Sequence, residues 1–138
     1  MVQMYKIIGL TNGVDYLEMF SAHSDIEHIN EMNLKIRIKS YGFSVSQNLL
    51  CPKEIVRTFY NQISEMLETG SGSAIFLVES NDDIALTLKI SNGEHFVPIE
   101  GAISRNCLAG ENSHHKLIFG FEVPLKQFKS SPLKLTWA

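Results

Sequence analysis

The side chains able to serve as nucleophiles, bases or metal ligands are few and scattered. Five histidines (His23, His28, His95, His114 and His115) and two cysteines (Cys51 and Cys107) carry most of that potential. A zinc site needs ligands at spacings such as Cys-x-x-Cys or His-x-x-x-His, and none of these pairs has them. His23 and His28 stand five apart; His114 and His115 are adjacent, and neighbours on a strand point to opposite faces. No metal or other cofactor is therefore expected. Cys107 could act as a nucleophile with His95, His114 or His115 as its base, a pairing that depends wholly on adjacency in space. Asp82-Asp83 follows Asn81, and short polar side chains in that order read as a turn rather than an acid pair. Gly70-Ser71-Gly72-Ser73 has neither the spacing of a nucleophile elbow nor the Lys and Ser/Thr of a phosphate loop. The sequence thus assigns no catalytic, cofactor-binding or metal-binding residue and predicts that the chain is not an enzyme.

The elements that would hold these residues are clearer. At 138 residues, 44% hydrophobic and 20% charged, the chain is long enough for one packed core and is read as a single domain over 1–138. The strongest element is a helix over 52–69, with Pro52 in its first position, Glu54 in its first turn and Gly70 as its stop. Ile55, Val56, Phe59, Ile63, Met66 and Leu67 fall on one face of it. Elsewhere the pattern has period two. Leu34, Ile36 and Ile38 alternate with Lys35, Arg37 and Lys39; Tyr41, Phe43 and Val45 continue in the opposite phase, so a bend or bulge is expected at Gly42.

Tyr5 to Leu10 and Tyr16 to Phe20 flank Asn12-Gly13 as a hairpin, and Ala74 to Val78 reads as a strand covered on both faces. Asn92-Gly93 predicts a two-residue hairpin turn that sets Ile90 opposite His95, Leu88 opposite Val97 and Leu86 opposite Ile99. His95 would then close an apolar face. Ser104 to Lys116 reads as an exposed loop, and Leu117 to Val123 as a strand. A short helical turn and a last strand through Leu133, Leu135 and Trp137 complete the chain, and Ser24-x-x-Glu27 is a capping box for a short helix. The fold class is α+β, mostly antiparallel sheet, with six to eight strands in a sandwich or half-barrel and one helix packed on it.

Both cysteines are expected to be free thiols, Cys51 buried beside Leu49 and Leu50. No run reaches the roughly 18 apolar residues of a membrane span, and the first residues do not form a secretory leader, so a cytoplasmic setting is expected. The net charge of −3 argues against a dedicated nucleic-acid binder. Lys35, Arg37 and Lys39 share a strand face that carries no interleaved aromatic.

The order of features resembles a known family. A strand through Leu34, a helix ending in Leu67, the strand Leu86-Thr87-Leu88, the segment Asn92-Gly93-Glu94-His95-Phe96-Val97-Pro98-Ile99-Glu100-Gly101 and the closing Leu117-Ile118-Phe119-Gly120-Phe121-Glu122-Val123 are similar to the WapI-like immunity proteins of bacterial polymorphic toxin systems. The likeness spans about residues 34 to 135, with Glu94 where a small residue is expected. It implies a non-catalytic cytoplasmic protein that blocks a cognate protein toxin by occlusion, without nucleic acid or membrane as partner. A small-molecule-binding β domain, with an apolar pocket between sheet and helix, is the alternative reading.

Overall fold

The structure is a computed structural model and describes residues 4–22, 31–79, 82–106 and 114–130. The capping box at 24–27, His23, His28, Cys107 and the strand expected at 133–137 lie outside them. Within these limits the fold class is the expected one: two four-stranded antiparallel sheets and two helices.

The first sheet contains β1 (Met4–Thr11), β2 (Tyr16–Ala22), β3 (Glu31–Ser40) and β4 (Phe43–Pro52), in that spatial order. Its alternation is strict in β2, β3 and β4, while in β1 a register shift between Lys6 and Ile8 leaves Ile7 and Ile8 both buried. Leu10, Leu17, Ile38 and Val45 form one cross-strand row on the inward face, and Ile8, Met19, Ile36 and Gln47 form the next. The change of phase at Gly42 is a hairpin turn, not a bulge. Ser40 pairs with Phe43, and both intervening residues have positive φ, 50° at Tyr41 and 86° at Gly42. That is the turn whose twist matches the flanking strands, and glycine is its usual second residue.

Helix α1 (Lys53–Thr69) follows directly. Pro52 ends β4 and caps the helix from outside, one position earlier than the sequence suggests. Its ring cannot continue a sheet ladder but presets the backbone for a helix start. At the other end Gly70 takes φ 83°, and its N–H donates to the Met66 carbonyl (2.8 Å). Val56, Phe59, Ile63 and Met66 are buried, with Ile55 and Leu67 half-buried beside them.

The second sheet repeats the meander with β5 (Gly72–Val78), β6 (Asp82–Ile90), β7 (Phe96–Asn106) and β8 (His114–Pro124), then the short α2 (Leu125–Ser130). The inward faces of both sheets, the α1 stripe and Phe128 of α2 form one apolar cluster. Each large side chain buried there stabilises the fold by about 1.5–3 kcal/mol relative to exposure. The Phe59 and Phe76 rings meet edge to face, with centroids 5.5 Å apart, and tie α1 to β5.

Four expectations are corrected. Asn92-Gly93 lies inside a wider loop, and the ladder pairs Leu88 with Ile99 and Leu86 with Gly101, a slip of two residues. An even slip preserves the face, so Leu86, Leu88, Val97 and Ile99 stay inward while His95, left in the loop, is exposed. β5 is covered on one face only, and Ile75 and Leu77 are exposed on the other. Asp82 and Asp83 open β6, paired with Arg105 and Ser104, instead of forming a turn. The loop expected over 104–116 is shorter, because β7 runs to Asn106 and β8 begins at His114.

Candidate functional site

The two hairpin tips of the first sheet converge on the outer side of β7 and β8. Strand β8 is an edge of its sheet, so its outward carbonyls need donors. The hairpin tips of the first sheet supply them. Asn12 Nδ2 donates to the Glu122 carbonyl (3.0 Å), and Ser40 Oγ donates to the Gly120 carbonyl (3.1 Å).

Each tip is itself braced. Asn12 Oδ1 accepts the N–H groups of Val14 (2.9 Å) and Asp15 (2.8 Å), the local bonding that makes asparagine a turn former. Thr11 Oγ1 donates to the Asp15 carbonyl (2.8 Å). The buried Asp15 carboxylate accepts the Tyr41 N–H (3.0 Å), which joins the two tips. Tyr41 is thereby held at positive φ, a conformation that costs a bulky residue about 1–3 kcal/mol, while its ring stays 78% exposed.

The result is an open groove of about 720 Å³ with acidic and aromatic walls. Glu100 and Glu122 stand on its floor, and Tyr41, Phe96 and Val14 rise around it. Register explains the floor. Glu100 pairs with Gly120 and Pro98 with Glu122, so the two carboxylates are diagonal neighbours on one face, separated by a residue with no side chain. A second depression of about 750 Å³ shares Tyr41, Glu100 and Gly120 and extends the groove over Ala85, Phe43 and Ile118, the last 75% exposed. Carboxylates beside open aromatic faces attract a cationic side chain both by charge and by the ring quadrupole. The neighbouring apolar floor suits the residues that flank such a cation.

The residues singled out from sequence lie elsewhere or at the margin. His95 is exposed on the loop before β7, and its carbonyl accepts the Leu125 N–H (2.8 Å); a smaller hollow joins it to Phe96, at the rim of the groove. Cys51 is free and buried, as expected. Burial, reinforced by the Glu31 charge, pushes its thiol up from 9.0 to about 12, and its Sγ donates to the Pro52 carbonyl (3.3 Å). Such a thiol is a poor nucleophile at neutral pH. Among the described residues no cluster of three or more His, Cys, Asp or Glu could hold a metal, and no helix is long and apolar enough to cross a membrane.

No protein-family model, curated protein or solved structure matches the chain. The site therefore rests on its geometry.

The basic strand face also reads differently in three dimensions. Register sets Tyr16 beside Lys39 and Phe20 beside Lys35, so aromatics absent from β3 itself are interleaved from β2. The ring faces are already engaged by cations, Lys6 over Phe20 (5.8 Å) and Arg37 over Tyr16 (5.7 Å). Glu18 bridges the same two cations at 2.6 and 3.5 Å. Lys6, Glu18 and Arg37 thus form an internally paired network on this face. No local pattern marks the groove, because its parts are remote in sequence; the one local signal is Asn12-Gly13, and the Asn12 side chain reaches a carbonyl 110 residues away.

Proposed function

We propose that the chain is a non-catalytic protein-binding module that seats a basic, partly apolar segment of a partner protein in the groove over β7 and β8. The observation that carries this reading is the pairing of Glu100 and Glu122 with the exposed, conformationally constrained Tyr41. A strained residue persists where its surroundings over-determine it, and such outliers gather at binding sites. Rigid aromatic anchors at the centre and carboxylates beside them are the composition of an interface hot spot. A cognate toxin neutralised by occlusion is the partner class that this reading favours, since occlusion needs a preformed surface and no chemistry.

The test uses three forms of the chain: native, Glu100→Lys with Glu122→Lys, and Lys35→Glu with Arg37→Glu on the opposite sheet. Each is co-expressed with the toxin candidate encoded beside its gene and used to capture proteins from the host. The native chain is expected to rescue growth and retain a stoichiometric partner. The groove variant should lose at least about tenfold in affinity, and the β3 variant should bind like the native chain. Equal binding by the groove variant and the native chain would reject the groove, and failure of every form to rescue or capture would reject the binding module.

A further inference from the structure

The groove has a third carboxylate, set deeper than the two on its floor. Asp15, in the turn between β1 and β2, is only 6% exposed, yet it lines the groove together with Glu100 and Glu122. Its Oδ1 accepts the Tyr41 N–H (3.0 Å), while its Oδ2 accepts no hydrogen bond among the described residues. Gln47 Nε2 is the one unpartnered side-chain atom of the described buried residues that is sealed from the surface, so Asp15 Oδ2 keeps an opening. An ionised oxygen taken out of water needs a donor, and leaving it without one is costly. The turn nonetheless fixes it there: Asn12 Oδ1 holds the Asp15 N–H (2.8 Å), and Asn12 Nδ2 ties the turn to the Glu122 carbonyl (3.0 Å).

The groove supplies no countercharge of its own. Among the described residues no Lys, Arg or His lines it, and neither Glu100 nor Glu122 has an ion pair. Nor do the three carboxylates close on a point, since no group of three His, Cys, Asp or Glu among the described residues could hold a metal ion. Dispersed acceptors beside the exposed rings of Tyr41 and Phe96 call for a cation that is itself extended and flat. A guanidinium has five N–H donors in one plane, sheds water readily and stacks on aromatic faces, whereas an ammonium is a compact, strongly hydrated charge.

From this geometry we infer that the groove selects an arginine of the partner segment. Its guanidinium donates to Asp15 Oδ2 and to a floor carboxylate, Glu100 or Glu122, with its plane against the Tyr41 ring. Asp15 thereby has two tasks: Oδ1 holds the turn that presents the ring, and Oδ2 offers the deep acceptor. A lysine can neutralise the exposed glutamates, but its point charge does not meet the deep and floor carboxylates together. A buried acceptor left unmet in the complex is what makes a site reject the wrong ligand. This inference rests on the groove being the protein-binding site and names the residue that the site reads.

The probes are three capped peptides, acetyl-Leu-Gly-Xaa-Gly-Leu-amide, in which Xaa is arginine, lysine or the neutral isostere citrulline. They are titrated into the intact chain and followed by the amide NMR signals of Asn12, Asp15 and Tyr41. The arginine peptide is expected to shift these signals saturably, the lysine peptide to bind at least about fivefold more weakly, and citrulline to leave them in place. Asp15→Asn retains an Oδ1 acceptor for Tyr41 but replaces Oδ2 with a donor, and should weaken the arginine peptide about tenfold, the scale of one charge-assisted hydrogen bond. Tyr41→Asn removes the ring at a left-handed position that asparagine tolerates, and should cost about two- to fivefold. Equal binding of the arginine and lysine peptides, or undiminished arginine binding by Asp15→Asn, overturns the inference. So does the absence of any shift at these amides. The protein-binding reading stands or falls separately, on whether Glu100→Lys with Glu122→Lys releases the captured partner. Should Asp15→Asn fail to fold, the peptide series on the native chain and Tyr41→Asn still decide.

Discussion

The first sheet ends in β4, Pro52 and the 17-residue α1; the second ends in β8, Pro124 and the 6-residue α2. Four antiparallel strands, a proline and a helix occur twice along the chain, yet the two copies are finished in opposite ways. The first sheet turns a charged face outward, with Lys6, Glu18 and Arg37 in contact, and its β4 edge pairs with no further strand among the described residues. The second turns Ile75, Leu77 and Ile118 outward and has both edges covered. One topology thus serves two ends. The second sheet, braced on both sides, presents an apolar and acidic surface; the first presents charged side chains from β1, β2 and β3 beside an edge strand, β4, that carries none.

The largest expected effect probes the seam that makes the second sheet the braced one. Phe59 is fully buried and meets Phe76 across the junction of α1 and β5. Phe59→Ala should lower unfolding free energy by about 3–5 kcal/mol, the range for a buried phenylalanine. Arg37→Ala on the outer face of the first sheet should cost under about 1 kcal/mol, because it removes only a surface ion pair. Chemical denaturation of both variants checks the contrast, and similar midpoints would mean that α1 is not the brace described.

The sequence shows why that contrast could be half read in advance. Alternation is a local property, and it located the α1 stripe and the strands through Leu34, Leu86 and Leu117 because each reports its own face. What it does not encode locally is what lies on the other face. Ala74 to Val78 looks the same whether one side is covered or both, and only the assembled sheet shows Ile75 and Leu77 exposed. Register is equally non-local: the Asn92-Gly93 pair predicted the right face and the wrong partners, since a slip of two residues leaves the pattern unchanged. Tyr41 gave no signal, because the usual Asn-Gly chemistry is absent where the chain nonetheless turns with two positive φ angles. Strand, proline and helix recur at Pro52 and Pro124, but no side-chain repeat accompanies them, so the doubled plan emerges only from topology.

A pH effect of intermediate size should be confined to the first sheet. Cys51 is the last residue but one of β4, and its folded thiol is pushed up from 9.0 to about 12, by burial first and the Glu31 charge second. Because the native state keeps this proton longer than the unfolded chain, the thiol's contribution is fully present below about pH 9 and is lost as pH rises toward about 12. The native protein should therefore lose stability over that window faster than Cys51→Val. Equal slopes in alkaline denaturation would show that Cys51 is not shielded as described.

The smallest effect, that of Gly9→Ala, shows when two glycines are set against each other, one in each sheet. A Cβ on Gly101 would lie 2.1 Å from the Ala85 carbonyl oxygen and 2.9 Å from the Phe119 ring, and a neighbouring backbone cannot step aside. Gly101→Ala should cost about 3 kcal/mol, the upper range for overpacking, and loosen the pairing of β6 with β7. A Cβ on Gly9 would also meet an atom at 2.9 Å, but that atom is Lys6 Cδ, partway along a flexible side chain that reaches across to Glu18. Gly9→Ala should only swing Lys6 away from Glu18, and the ion pair surrendered is half-exposed, so the loss stays within about 1 kcal/mol. The two sites differ both in the space a methyl group would find and in what bounds it: a rigid ladder in the braced sheet, a flexible lysine side chain on the charged face. Thermal melts of the two alanine variants measure that difference directly. A Gly9→Ala loss as large as that of Gly101→Ala would mean that the outer face of the first sheet is packed as tightly as the interior of the second.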